Sequence, residues 1–184
     1  MGDYCRKNLL LGITGSIAIV KIPAVISMLM KHDISVHVVM TENAARFIQP
    51  LTFKTLTRNP VTVSLWDEHV RWEPEHVALA EMADLALVAP ADANIIGKIA
   101  NGIADDALST ELLTIRKPMV IVPAMNPKMY ANPVLQDNIK RICTLLPETE
   151  FIGPVSGPVA CGDDGKGRMV EPEVIVKTVL EKLS

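Results

Sequence analysis

The chain reads as a single α/β domain built on a doubly wound parallel sheet, and three observations lead there. Short β-rich apolar runs alternate with segments of helical period. The runs are apolar at nearly every position, as in strands covered on both faces. The first run opens into a small-residue turn, Gly12-Ile13-Thr14-Gly15-Ser16, followed at once by a helical pattern.

Taken in order, the expected strands are Asn8 to Ile13, Ser35 to Met40, Val61 to Leu65, Leu85 to Ala89, Met119 to Val122 and, more weakly, Glu150 to Ile152. Helical spacing runs through Ile17 to Lys31, Glu42 to Thr57, His76 to Met82, Ala93 to Ile99, Leu108 to Leu113, Pro133 to Leu145 and Glu171 to Leu183. Right-handed crossovers would place these helices on both faces of the sheet. The stretch Gly153 to Arg168 breaks the pattern, with Gly153, Pro154, Gly157, Pro158, Gly162, Gly165 and Gly167 among few apolar residues. It reads as a long loop, and a loop of that length inside a compact domain is expected to act as a lid.

At 184 residues and 49% hydrophobic the chain fits one domain with a substantial core. A net charge of -3, without long runs of either sign, argues against nucleic acid or an anionic membrane as partner. Cys5, Cys143 and Cys161 are widely spaced, so neither a disulfide framework nor a zinc site is suggested, and a cytoplasmic location is expected. Arg6 and Lys7 ahead of Leu9 to Val20 imitate a signal peptide, but Gly12, Thr14, Gly15 and Ser16 suit a turn better.

In open α/β sheets ligands bind beyond the carboxyl ends of the strands, where helix N-termini present unpaired N–H groups to anions. The first such place is the Gly12 to Ser16 turn: Gly15 would let a phosphate approach the backbone, Thr14 and Ser16 would add hydroxyls, and Ile17 begins the helix. A ligand-free tight turn is the competing reading. The pattern is neither GxGxxG nor a Walker loop, which favours a mononucleotide-like phosphate. The loops Ala89-Pro90-Ala91-Asp92-Ala93-Asn94 and Pro123-Ala124-Met125-Asn126-Pro127-Lys128-Met129 follow the fourth and fifth strands. Asn94 and Asn126 there either bind a ligand or cap a helix. Asp105 and Asp106 read as capping residues ahead of a helix rather than as an acid–base pair. Among four histidines only His76, at a helix start, is placed for acid–base work, and it too has a structural reading. Cys161 lies in the expected lid, and a thiol of ordinary pKa, about 8.5, can donate a proton at neutral pH.

Together these segments resemble the flavin-containing cysteine decarboxylase family. The resemblance rests on Gly12-Ile13-Thr14-Gly15-Ser16-Ile17-Ala18, His76 with Ala83-Asp84, Ala89-Pro90-Ala91 through Asn94, Gly102-Ile103-Ala104-Asp105-Asp106, Pro123-Ala124-Met125-Asn126, and Ala160-Cys161-Gly162 through Gly165, Gly167, Arg168 and Met169. Departures are small: Ile19-Val20 precedes Lys21 where Ala-Tyr is usual, Val77 replaces Ile, and Tyr130 replaces a Trp.

The resemblance implies a Rossmann- or flavodoxin-like domain over residues 1–184, with 153–169 as a substrate lid. It implies FMN, with phosphate near Gly15, Ser16 and Ile17, further contacts from Thr41, Asn43 and Phe47, and the ring against Ala91, Asp92, Ala93, Asn94 and Ala124. It assigns His76 as base, Asn126 to the substrate carboxylate and Cys161 as proton donor, in a homotrimer with active sites at subunit interfaces. The implied chemistry oxidises a cysteine to a thioaldehyde, so that CO2 leaves from a carboxylate β to the C=S carbon, and then reduces the product. The expected substrate is 4'-phosphopantothenoylcysteine. A C-terminal peptidyl cysteine, or a non-catalytic regulatory flavoprotein, are the competing expectations, and a flavin prenyltransferase would not combine Pro123 to Met129 with a Cys161 lid.

Overall fold

The computed structural model describes residues 6–66, 75–158 and 164–184. Strand β1 (Asn8–Ile13) leads through a 3-10 turn, Ile17–Lys21, into α1 (Ile22–Met30). There follow β2 (Ser35–Met40), α2 (Glu42–Phe47), α3 (Pro50–Thr57), β3 (Val61–Thr62) and α4 (Glu75–Met82). Next come β4 (Leu85–Ala91), α5 (Ala93–Asn101), α6 (Ala107–Thr114) and β5 (Met119–Pro123). The chain continues through α7 (Pro127–Tyr130), α8 (Pro133–Leu145), β6 (Thr149–Phe151), β7 (Val155–Pro158), β8 (Asp164–Arg168) and α9 (Pro172–Leu183).

Six strands form one parallel sheet in the order β3-β2-β1-β4-β5-β6. The direction of winding reverses between β1 and β4, which opens a crevice at their carboxyl ends. The pleat sends alternate residues to opposite layers. Leu9, Leu11 and Ile13 join Leu85, Leu87, Val120 and Val122 beneath α1, α3 and α9. Leu10 joins Ala86, Val88, Met119 and Ile121 beneath α5, α6 and α8. Because both faces are covered, the strands are apolar at consecutive positions.

Two expected helices are broken. Ile17 to Lys31 divides into the 3-10 turn and α1, and Glu42 to Thr57 into α2 and α3. Pro23 and Pro50 sit at the starts of α1 and α3. A proline lacks the N–H that a continuing helix needs, and Gln49, the residue before Pro50, is extended, whereas Ile22 before Pro23 stays helical and the 3-10 turn runs directly into α1. The third strand is shorter than expected because only Val61 and Thr62 pair with β2 at the sheet edge.

The long-loop expectation for Gly153 to Arg168 is corrected: β7 and β8 form an antiparallel hairpin. Gly157 and Gly165 are paired partners with φ of 146° and 149°, an extended backbone that side chains rarely permit. Their glycines serve as strand residues, so a glycine count alone points to a loop. Cys161 lies outside the described residues.

Candidate functional site

The crevice is assembled around Thr14. Its hydroxyl donates to the Pro90 carbonyl at 2.7 Å and accepts the Asp92 N–H at 2.9 Å, so one buried side chain joins the loops after β1 and β4. Thr14 is thereby committed within the protein and does not serve as a ligand hydroxyl, contrary to expectation. Gly12 is also reassigned. It lies inside β1, where an added Cβ would come within 2.6 Å of the Leu108 side chain, and its smallness admits α6 against the sheet.

Asp92 is the second joint. Its carboxylate accepts the Ile95 N–H at 2.8 Å as the cap of α5 and also accepts the Gly15 amide. Burial raises its pKa above the ordinary carboxylate value, against the lowering effects of the Ile95 amide, Thr14, the Gly15 amide and Lys98. Asp92 therefore holds the loop that was expected to hold phosphate.

The loop after β2 closes on the same place. Thr41 donates its N–H to the Ile13 carbonyl at 3.0 Å, and its hydroxyl caps α2 by accepting the Ala44 N–H at 3.2 Å. A Cβ on Gly15 would meet the Asn43 Cβ at 2.7 Å, so Gly15 and Asn43 are packed together. Ser16 is half-buried and caps the 3-10 turn. Ile17 and Phe47 flank this junction, each 52% exposed. Apolar side chains open to solvent beside capped helix starts suit a ligand with a flat apolar ring and an anionic tail. The residues present fit a flavin mononucleotide in this respect.

Of the remaining expected contacts, Ala91 and Ala124 are buried, and the Ala124 N–H donates to the Ala91 carbonyl at 3.0 Å. They join the loops after β4 and β5. Asp92 and Ala93 are partly accessible and Asn94 is exposed on the first turn of α5. Asn126 caps α7, a short helix the periodicity did not reveal, with its Oδ1 accepting the Lys128 N–H at 2.8 Å. The capping reading of Asn126 is thus seen, and the residue is still half-buried at the carboxyl end of β5. His76 is placed, as backbone, in the first turn of α4.

The hairpin is seated on the Asn126 loop. The Met125 N–H donates to the Gly167 carbonyl at 3.0 Å. Gly165 and Gly167 face Pro127, where added Cβ atoms would run into its ring and backbone, and at Gly167 also into the Met125 carbonyl. The Lys166 ammonium lies 5.6 Å from the Tyr130 ring centroid, a cation–π distance. At the hairpin's end, Glu171 pairs with Arg168 at 2.5 Å and with Lys21, which closes the 3-10 turn, at 2.8 Å. Lys21, chiefly, holds the Glu171 carboxyl below its usual pKa. Periodicity carries no trace of these partners, because all are set by the tertiary approach of β8 and α9.

Asp106 is a helix cap, as expected, whereas Asp105 is not a cap and pairs with Lys98. Asp106 accepts the Ser109 N–H at 2.8 Å in a reciprocal capping box, and Lys98 lies 2.5 Å from both carboxylates.

A doubly wound sheet whose loops after β1, β2, β4 and β5 converge on one crevice is the architecture of a nucleotide-cofactor protein. The chain belongs to the Flavoprotein family, which matches residues 2–184. It is 46% identical over 177 residues to the coenzyme A biosynthesis bifunctional protein CoaBC of Bacillus subtilis (strain 168), covering 94% of this chain and 42% of that protein. The chain thus spans less than half the length of this curated relative. Among solved structures it is similar to a PPC decarboxylase mutant complexed with pantothenoylaminoethenethiol, at a TM-score of 0.85 and 28% identity, covering 97% of this chain and 100% of that one. It is also similar to the FMN-dependent cysteine decarboxylase SpaF, at a TM-score of 0.81 and 28% identity, covering 97% and 98%.

Proposed function

We propose that this chain binds FMN and catalyses the oxidative decarboxylation of the cysteine moiety of 4'-phosphopantothenoylcysteine, giving 4'-phosphopantetheine for coenzyme A biosynthesis. The observation that carries the reading is the seating of the β7–β8 hairpin on the Asn126 loop, beside the crevice formed by Gly15, Asn43 and Asp92. Similarity along nearly the whole chain to a PPC decarboxylase supports it.

Direct loss of CO2 from a cysteine carboxylate would leave an unstabilised carbanion, and bound FMN supplies the reversible two-electron sink that avoids it. The chain's residues do the rest. Gly15, Ser16 and Ile17 would hold the phosphate end, Thr41, Asn43 and Phe47 would add further contacts, and Ala91, Asp92, Ala93, Asn94 and Ala124 would face the ring. His76 takes the substrate thiol proton. Asn126 orients the carboxylate without a charge that would favour its retention. Cys161 returns a proton to carbon after CO2 has left. The hairpin excludes water from the reactive sulfur intermediate. The working unit is a homotrimer, or a multiple of trimers, in the cytoplasm. Among the described residues no helix is long and apolar enough to cross a membrane.

A likeness at 30% identity and a TM-score of 0.80 to the peptidyl-cysteine decarboxylase EpiD keeps a peptide ending in cysteine as a second substrate. Purified protein loaded with FMN is to be incubated with each substrate and the released CO2 measured. Turnover of the phosphopantothenoyl compound supports the first reading, and turnover of the peptide alone replaces it with the second.

A further inference from the structure

A cavity of about 590 Å3 lies at the opposite end of the sheet from the cofactor crevice. It is bounded by the end of α5, the end of α6, the starts of β5 and β6, and the second half of α8. Helix α5 begins at the cofactor face with Asp92 and ends at this cavity with Gly102, so the two sites are separated by the helix's full length. A volume of this size falls within the range of about 300–1,000 Å3 that holds small ligands.

Its lining has two parts. Ile99, Leu112, Met119 and Ile142 form an apolar floor continuous with the core beneath α5 and α8. Leu113 and Leu145 extend it outward at 48% and 60% exposure. Around this floor stand Arg116, Lys117 and Arg141, all exposed, and among the described residues none of the three is in an ion pair. Lys98 also lines the cavity but is already neutralised between Asp105 and Asp106. Glu148 is the acidic residue of the lining.

Three uncompensated cations against one carboxylate concentrate positive charge on a chain whose net charge is -3. An isologous contact with a second copy would set these cations against themselves, which the charge disfavours, whereas the heterologous contacts of a cyclic trimer would not, and oligomeric mass tests for them below. An apolar body with an anionic head meets both parts at once: the body covers the floor, and the head accepts charge-assisted hydrogen bonds from the guanidinium groups. The geometry points to a second binding site here, for a small amphipathic anion carrying a carboxylate or phosphate on an aliphatic chain. This inference does not depend on the proposed reaction.

Calorimetric titration of the flavin-loaded protein tests it with octanoate and octyl phosphate, each below its micelle concentration, beside 1-octanol and inorganic phosphate. Both amphipathic anions are expected to bind once per chain, at least about tenfold more tightly than octanol or phosphate alone. A preference between them identifies the head group as carboxylate or phosphate. Arg116→Ala and Arg141→Ala should each weaken octanoate about tenfold with folding unchanged by circular dichroism, and Leu145→Gln should weaken it through the apolar side. Octanol binding as tightly as octanoate, or arginine variants binding like wild type, overturns the proposal. So does a loss of oligomeric mass in light scattering on arginine substitution, which would make the surface a contact between copies.

Discussion

Replacing Gly167 by alanine tests whether the hairpin is part of the working site or an appendage. The added Cβ would run into the Met125 carbonyl and come within 3.0 Å of the Pro127 nitrogen, both backbone atoms that no rotamer change can move aside. Overpacking of this kind costs about 1–3 kcal/mol. The displaced Met125-to-Gly167 hydrogen bond, 3.0 Å long, adds about 1 kcal/mol. The sum, about 2–4 kcal/mol, would lower Tm by roughly 5–15 °C for a chain of this size if the whole domain feels it. If the hairpin instead lifts away, Tm holds while turnover collapses. Gly97→Ala is the control. Its Cβ would meet only the Asn138 amide nitrogen at 3.8 Å, in the interior of α5, and gaining alanine's helix propensity should stabilise the protein by about 1 kcal/mol. Thermal denaturation and CO2 release are measured on both variants. A Gly167→Ala protein matching wild type in Tm and turnover would refute the seating of β8 on the Asn126 loop.

Further outcomes are expected elsewhere. Gly15→Val should lower flavin occupancy, seen as lost flavin absorbance in the purified protein, because its side chain would displace Asn43 from the crevice. Asp106→Ala removes a capping box and an acceptor for Lys98, and should cost about 0.5–2 kcal/mol in urea denaturation at neutral pH. Burial raises the Asp106 pKa, but Lys98 and Ser109 outweigh it and the net shift is downward. Its contribution is therefore present above the ordinary value of 3.8 and lost as pH falls through the lower folded value, a slope Asp106→Asn should flatten. His37 gives a pH dependence of the same sign, although here the neutral form is the one the fold favours. Burial, and then Arg6, lower its pKa, so the unfolded chain binds the proton first and stability falls as pH drops below the ordinary imidazole value of 6.5. His37→Gln should remove that dependence. Cys161→Ser should still release CO2 but accumulate an enethiol, because protonation follows decarboxylation in the proposed order; normal product formation would remove Cys161 from its role.

The parallel sheet was legible because burial on both faces writes itself into each strand as unbroken apolar sequence, from Leu9 to Ile13 and from Leu85 to Ala89. The crevice was legible as loops, since Gly15, Asn94 and Asn126 follow strand ends. Less legible was which atoms are already taken. Thr14 and Asp92 look like ligand groups along the chain, yet each spends its hydrogen bonds joining two loops 76 or more residues apart in sequence. The hairpin was misread because Gly157 and Gly165 support extended pairing where glycine ordinarily signals a turn. The proline break at Pro50 was visible but was overridden by the apolar period running through it.

The most direct test of the account is CO2 release by the purified, FMN-loaded chain from 4'-phosphopantothenoylcysteine, with a peptide ending in cysteine run in parallel. The purified chain should be yellow, turn the first compound into 4'-phosphopantetheine and leave the peptide untouched. A protein without flavin, or one inert toward the phosphopantothenoyl substrate, would contradict it.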